Sequence, residues 1–137
     1  MAVKFNHMWT NFPKKDAIKI RCRNKQKDSD TPFSDYCAIM MSECFTKSGI
    51  DIGAFTGNRC WSHDGKKHIL LAEDFAKGLN THTPPTFKKR SLITPDNFQD
   101  ELSGKTGVIF FKDYWQRGSE NFSNRSGDHI DLWNKNK

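Results

Sequence analysis

The sequence predicts an α+β fold in which helices pack on a small antiparallel sheet. Apolar residues recur with helical spacing over the first hundred positions, and two strand-like apolar runs follow near the end. Helices that precede strands, rather than alternate with them, are typical of α+β domains. A length of 137 residues suits one domain with its own core. We therefore predict a single domain over residues 1–137.

The opening of the chain predicts a short helix that ends at Pro13, because the residue before a proline disfavours helical backbone angles. Four apolar residues with helical spacing share one face of this helix: Phe5, Met8, Trp9 and Phe12. The polar residues 14–30 then predict a loop with one strand. The evidence for that strand is a weak alternation at Ile18, Ile20 and Cys22.

The segment "TPFSDYCAIMMSECFTKSG" predicts a second helix. Ser34 or Asp35 is suited to cap its start, and Ser48 with Gly49 supplies its end. An apolar stripe runs along one side of it: Ala38, Met41, Cys44 and Phe45. Cys37 therefore lies in the first turn of a helix that packs on the core.

Two further helices are predicted between the glycine-containing loop and the strands. The first covers "HILLAEDFAKGL", residues 68–79, with these residues facing inward: Ile69, Ala72, Phe75, Ala76 and Leu79. A connector stiffened by Pro84 and Pro85 follows. The second helix opens at Thr94 and Pro95, since proline is favoured at the first helical position, and runs through Leu102.

The two apolar runs near the end predict the strands. "GVIFF", residues 107–111, is continuous and of strand length, which indicates a strand buried on both faces. A polar linker leads from it to "HIDLW", in which polar and apolar residues alternate. Because alternate residues of a strand point to the same side, His129 and Asp131 share one face.

Composition bounds the class of protein. The formal charge of +6 indicates an anionic partner or environment, whether nucleic acid, a membrane surface or an acidic polymer. No apolar run approaches the ~20 residues that span a bilayer, so we expect no membrane segment. The start, "MAVKFNHMW", lacks the apolar centre of a secretory signal. Action outside the cell would then require another export route.

The four cysteines are too few and too scattered for a disulfide framework. Cys60 and His63 form a Cys-x-x-His pattern, and together with His68 they hint at a metal site. That set supplies three ligands and lacks the second pair of a typical zinc site. We therefore predict no metal site and no cofactor, and a packing role for Cys60.

Cys37 is the best candidate for a nucleophile. The first turn of a helix offers backbone N–H groups and the positive end of the helix dipole, which favour a thiolate and suit a developing oxyanion. His129 is placed to act as its base, and Asp131 to orient the imidazole. This is the papain-type arrangement for cleaving amides. A helix-start cysteine with a downstream histidine also arises by chance, so spacing alone leaves a structural role open.

Longer motifs point the same way. The stretches "YCAIMMSECFTKSGI", "GVIFFKDYW" and "GDHIDLWN" resemble those of type VI secretion amidase effectors of the fourth family, small bacterial toxins related to NlpC-type papain-like peptidases. The first is similar to the nucleophile helix of that family and the last to its histidine strand. Weaker similarity covers "FNHMWTNF" and residues 59–79. The resemblance thus spans most of the chain, in order, and implies a papain-like (NlpC-type) fold.

The resemblance implies a catalytic site and a reaction. Cys37 becomes the nucleophile and His129 the general base of a peptidoglycan amidase, a DL-endopeptidase that cleaves the γ-D-glutamyl–meso-diaminopimelate bond without a cofactor. Members of the family usually continue past the histidine strand to a further acidic residue, whereas this chain reads "WNKNK" and ends at Lys137. Either Asp131 orients the imidazole, or a further C-terminal segment supplies that residue, or activity is impaired. We predict Asp131.

The resemblance also implies partners and a place of action. They are the peptidoglycan stem peptide, a cognate immunity protein and the type VI secretion apparatus, which delivers the toxin without a signal peptide to the periplasm of a rival bacterium. Nucleic acid and membrane are not expected partners. Two alternatives stay open: a basic nucleic-acid-binding module without catalysis, and a papain-like protease or deamidase that acts on protein.

Overall fold

The computed structural model describes residues 5–31, 33, 36–63, 65–84, 87, 96–115 and 127–135. Within these residues it contains five helices and two antiparallel pairs of strands, which agrees with the predicted α+β class. In chain order the elements are α1 (Phe5–Asn11), α2 (Lys15–Arg21), β1 (Asn24–Gln26), β2 (Ser29–Thr31), α3 (Cys37–Lys47), α4 (Ala72–Thr81), α5 (Phe98–Leu102), β3 (Thr106–Trp115) and β4 (Gly127–Asn134).

The first helix is confirmed, and the prediction for residues 14–30 is wrong. A helix, α2, replaces the expected loop and strand, and the β1–β2 hairpin follows it. Ile18 and Cys22 are buried while Ile20 is 79% exposed. Residues four apart lie on the same face of a helix, so the apparent alternation was one helical face interrupted by an exposed isoleucine.

The second predicted helix corresponds to α3 and carries the centre of the core. All four residues of its apolar stripe are fully buried: Ala38, Met41, Cys44 and Phe45. They pack with residues of α1, α4 and β4 in one cluster. Cys37 is the first residue of α3, as predicted. The predicted caps, Ser34 and Asp35, lie outside the described residues.

The helix predicted over residues 68–79 begins later, at Ala72. Ile69 is buried as expected, but it pairs with Arg59 in an isolated antiparallel bridge. The acidic residues Glu73 and Asp74 lie in the first turn of α4, where they complement the helix dipole. The helix therefore begins where these carboxylates stabilise its first turn. The apolar residues before Ala72 do not belong to the helix.

The strands β3 and β4 pair in the register Val108 opposite Leu132 and Phe111 opposite His129. One face of the pair packs on α3, through Val108 and Phe110 of β3 with Ile130 and Leu132 of β4. On the other face, Phe98 of α5 contacts the rings of Phe111 and Trp133 edge-on, with centroids 5.9 and 6.1 Å apart. Both faces of the run are therefore contacted, but only Ile109 is fully buried and the other residues of 107–111 are half-buried, so the prediction of a strand buried on both faces is confirmed in part.

Helix α5 is confirmed through Leu102, whereas its predicted start at Thr94 and Pro95 lies outside the described residues. The same holds for Pro85 in the predicted connector and for residues 116–126 of the linker between the strands. Among the described residues, none of the helices combines the length and the apolar character needed to cross a bilayer.

Candidate active site and a second cysteine–histidine cluster

Cys37 begins α3 because the backbone changes conformation at Tyr36, whose φ of −111° and ψ of 4° are not helical. The Tyr36 carbonyl already accepts the first helical hydrogen bond, from Met40 N–H at 2.8 Å. The N–H groups of the first turn therefore point out of the helix end around Cys37, where the dipole is positive. The position offers the electrostatics that a thiolate and an oxyanion require.

The side chain of Tyr36 fixes this helix start. It is 1% exposed, its hydroxyl donates to the Cys22 carbonyl at 2.8 Å, and the Phe33 N–H donates to the same hydroxyl at 3.1 Å. A buried tyrosine with both hydrogen-bonding functions satisfied has one favourable orientation. The residue that precedes Cys37 is thus anchored to the segment after α2.

Cys37 itself is largely buried, with 8% of its surface exposed. It belongs to the core cluster that contains Ile130 and Leu132 of β4, so the helix start and the histidine strand are parts of one packed unit. His129 and Asp131 alternate with those two residues and project from the other face of β4. A contact between the Cys37 sulfur and the His129 ring stays a prediction.

The structure does bring His129 and Asp131 together. Nε2 of His129 lies 3.4 Å from Oδ2 of Asp131, and their side chains are 33% and 47% exposed. The Leu132 N–H donates to Oδ1 of Asp131 at 2.8 Å, which fixes the carboxylate. Phe111 lies beside the imidazole with nearly parallel rings, 6.3 Å between centroids. The Asp131 carboxylate therefore contacts one edge of the imidazole, and the Phe111 ring lies beside one of its faces.

A second group of cysteines and histidines lies elsewhere in the molecule. Cys22, Cys60, His63 and His68 place one sulfur or nitrogen atom each within 4.8 Å of the others. Cys60, His63 and His68, which we set aside as a metal site for want of a fourth ligand, do lie together, and Cys22, which spacing did not suggest, joins them. Cys60 is buried in a core cluster, as expected, and its sulfur also contacts both imidazoles, at 3.2 and 3.4 Å.

Glu43 of α3 connects this cluster to the core helix. Its Oε1 lies 2.8 Å from Nε2 of His68 and 2.6 Å from the Arg21 guanidinium. Burial alone would raise the pKa of Glu43, but the hydrogen bonds from His68 and Arg21 and the charge of Arg21 lower that pKa to about 2. Glu43 is thus a buried carboxylate paired on two sides, which the sequence did not single out.

The thiols of the chain differ in their surroundings. The hydrogen bond from Cys22 lowers the pKa of Cys60, burial opposes this, and the hydrogen bonds from His68 lower it further. The hydrogen bond in which Cys22 donates its proton to Cys60, together with burial, raises the pKa of Cys22. Burial raises the pKa of Cys44 to about 12, and its sulfur lies 3.1 Å from the Met8 carbonyl oxygen. Cys44 is therefore a neutral core thiol.

Residues 33–137 match the model of a protein family described as type VI secretion system amidase effector protein 4, Tae4. That match covers well over half of the chain and includes α3, β3 and β4. The chain belongs to the Tae4 family. It is accordingly an amidase effector of the type VI secretion system.

Two solved structures of the Tae4 family from Salmonella Typhimurium resemble the chain. One, the structure of the effector–immunity system Tae4/Tai4, matches at 21% identity and a TM-score of 0.63, covering 100% of this chain and 85% of the other. The second, the crystal structure of the type VI effector–immunity complex Tae4–Tai4, matches at 26% identity and a TM-score of 0.67, covering 99% and 85%. A search of curated protein sequences finds no significant match. Both structural matches support the Tae4 fold for this chain.

Proposed function

We propose that this Tae4-family chain hydrolyses the amide between γ-D-glutamate and meso-diaminopimelate in peptidoglycan stem peptides, with Cys37 as nucleophile on a papain-like, NlpC-type fold. The observation that carries the proposal is the position of Cys37. In a chain that belongs to an amidase family, it is the first residue of the central helix, where N–H groups and the dipole favour anionic sulfur.

The reaction proceeds in two steps. The Cys37 thiolate attacks the γ-carbonyl carbon, and N–H groups at the start of α3 stabilise the oxyanion. The carbon–nitrogen bond breaks as protonated His129 gives its proton to the departing amine of diaminopimelate. Water then attacks the thioester, His129 accepts the proton of that water, and the carbon–sulfur bond breaks to release the glutamate carboxylate and restore the Cys37–His129 pair.

Asp131 is the residue we assign to orient His129. Its carboxylate contacts Nε2 of the ring at 3.4 Å, which leaves Nδ1 to exchange the proton with sulfur and substrate. Phe111, beside the ring, limits its rotation. The 3.4 Å separation is long for a charged hydrogen bond, and we expect it to shorten when the imidazole is protonated.

We propose two macromolecular partners and a place of action. The Salmonella Tae4 structures are complexes with an immunity protein, Tai4, which supports an immunity protein as a partner of this chain. Membership of a type VI effector family supports delivery by that apparatus into the periplasm of a target bacterium. The net charge of +6 suits an anionic cell wall.

Digestion of purified peptidoglycan, followed by mass spectrometry of the muropeptides, tests the proposal. The wild-type chain should release fragments with a new amine at diaminopimelate, and Cys37→Ala should release none. Cys44→Ala is the matched control, because it removes a thiol from the same helix without touching the helix start. Full activity of Cys37→Ala, or intact stem peptides with the wild type, would overturn the assignment.

The same variants separate the two alternatives. A protease or deamidase that acts on protein would leave stem peptides intact while Cys37 still reacted with thiol-directed inhibitors. A nucleic-acid-binding module would bind DNA or RNA with steep salt dependence, and Cys37→Ala would not weaken that binding. Membership of an amidase effector family favours the cell wall over both.

A further inference from the structure

The cluster of Cys22, Cys60, His63 and His68 lies outside the residues used for amide hydrolysis. We propose that these four side chains bind one Zn²⁺ ion in a structural site. Two thiolates and two imidazoles are a common donor set for zinc in proteins. Cys22 directly follows α2, and the other three ligands lie between the paired residues Arg59 and Ile69.

The spacing of the donor atoms fits a tetrahedron. In a tetrahedron, zinc bonds of about 2.3 Å to sulfur and about 2.0 Å to nitrogen put a sulfur and a nitrogen about 3.5 Å apart, and two nitrogens about 3.3 Å apart. Sγ of Cys60 lies 3.2 Å from Nε2 of His63 and 3.4 Å from Nδ1 of His68. The two nitrogens are 3.3 Å apart, and Sγ of Cys22 is 3.4 Å from Nδ1 of His68. An ion fits between these atoms after shifts of a few tenths of an ångström.

Groups around the ligands are arranged as zinc sites require. The ring of His68 presents Nδ1 to the cluster because Nε2 faces the Glu43 carboxylate at 2.8 Å. A histidine held by a carboxylate at its other nitrogen is a regular partner of zinc, since the carboxylate fixes the tautomer and raises the basicity of the ligand. The backbone N–H of His68 donates to the Cys60 sulfur at 3.1 Å, which stabilises a thiolate.

The cluster is closed to substrates. Cys22, Cys60 and His68 are 0%, 2% and 1% exposed, and His63 covers the remaining side. The Cys60–His68–Glu43 series resembles a cysteine-protease triad in its contacts, but the sulfur is surrounded by the other donors and has no room for a scissile carbonyl. Four protein ligands also leave no open coordination position, which distinguishes a structural zinc from a catalytic one.

The ion would add to the contacts that already join the end of α2 to the loop around His63, among them the hydrogen bond from the Arg23 N–H to Ser62. Cys22 and His68 are 46 positions apart, and the described residues of the loop around His63 form no helix or strand. Zinc binds cysteine as the thiolate, so binding displaces the thiol proton that Cys22 and Cys60 share. We therefore expect metal-dependent stability in a domain whose proposed hydrolytic steps do not involve the ion.

Cobalt substitution tests the site directly in the 137-residue chain. Protein stripped with a chelator and titrated with Co²⁺ should bind one ion per chain and develop both thiolate-to-cobalt charge-transfer absorption and the intense visible bands of tetrahedral cobalt. Zn²⁺ should then displace Co²⁺ and abolish these bands. An octahedral spectrum without charge transfer, or no spectrum at all, would overturn the proposal.

Matched variants locate the ligands. Cys22→Ser should weaken Co²⁺ binding at least 100-fold and remove about half of the charge-transfer intensity, whereas Cys44→Ala, a buried cysteine outside the cluster, should behave as wild type. His63→Ala, at the partly exposed side, provides a variant expected to fold and to bind more weakly. Unchanged spectra in both Cys22→Ser and His63→Ala would also overturn the proposal. The result is independent of the amidase assignment, which Cys37→Ala tests separately.

Discussion

The Glu43 carboxylate lies 2.8 Å from Nε2 of His68 and thereby sets which ring nitrogen faces the sulfurs of the cluster. Glu43 belongs to α3, the helix that begins at Cys37, so one helix carries both the proposed nucleophile and the support of the proposed zinc site. The neighbouring Ser42 reinforces this link, because its hydroxyl accepts the Ile69 N–H at 2.9 Å. Two consecutive residues of α3 thus bind the segment that contains His68.

Replacement of Glu43 should weaken metal binding although Glu43 is not a ligand. Loss of a carboxylate behind a ligating histidine typically costs 10–100-fold in affinity. We expect that loss for Glu43→Ala in a competition assay between the protein and a chromophoric chelator. Arg21→Ala is the control, since it removes another ion pair of Glu43 and leaves the His68 contact in place. Equal affinities for wild type and Glu43→Ala would contradict the role.

Replacement of Asp131 should slow hydrolysis without abolishing substrate binding. General acid–base catalysis accelerates a reaction roughly 10²–10⁴-fold. Because Asp131→Ala leaves the imidazole misoriented, we expect kcat to fall by about 10²-fold while KM stays nearly unchanged. Muropeptide release over time measures both constants. Asp28→Ala, an exposed aspartate in the turn of the β1–β2 hairpin, is the control. Activity within twofold of wild type would mean that another residue orients His129.

Gly78 in α4 should not tolerate a larger residue. A Cβ atom at this position would lie 2.3 Å from Cγ of Phe55, which is buried in the core. Overpacking costs about 1–3 kcal/mol, and the better helix propensity of alanine returns about 1 kcal/mol. Gly78→Ala should therefore lower the free energy of unfolding by up to about 2 kcal/mol in urea denaturation. Asn80→Ala, exposed on the same helix, should leave it within about 0.5 kcal/mol.

Cys44 should make stability fall at alkaline pH. Burial raises its pKa from 9.0 to about 12, so above pH 9 the unfolded chain loses this thiol proton while the folded chain keeps it. The unfolded state then binds fewer protons, and the free energy of unfolding decreases by about 1.4 kcal/mol per pH unit from this group alone. Denaturation of wild type and Cys44→Ala over this range measures the difference in slope. Parallel slopes would show that Cys44 does not contribute.

Sequence patterns predicted the elements in which apolar spacing had a single interpretation. The stripe through Met41 and Phe45 fits only a helix, which placed Cys37 in the first turn, and alternation around Ile130 put His129 and Asp131 on one face. Ile18, Ile20 and Cys22 fit a strand as well as a helix, and only the tertiary packing, which buries two of them and exposes the third, decides between the two.

The second cluster was only partly visible in the sequence. Cys60, His63 and His68 are close in the chain and could be grouped by spacing, whereas Cys22 approaches them through the packing of α2 against α3. Glu43 resembled any polar residue of a helix until the structure placed His68 and Arg21 beside it. Contacts between residues far apart in sequence depend on how elements pack, and no local pattern encodes them.

The Tyr36 hydroxyl, bonded to the Cys22 carbonyl, ties the start of α3 to a residue of the proposed zinc site. Stripping the ion should loosen the segment that carries that carbonyl, and with it the N–H groups at the start of α3 that we propose stabilise the oxyanion. EDTA would then inactivate the effector. Because inhibition by a chelator usually indicates a catalytic metal, an inhibitor screen alone would wrongly classify the protein as a metallohydrolase. Inhibition that develops slowly, at the rate of local unfolding rather than of chelation, is the kinetic signature that distinguishes the two cases.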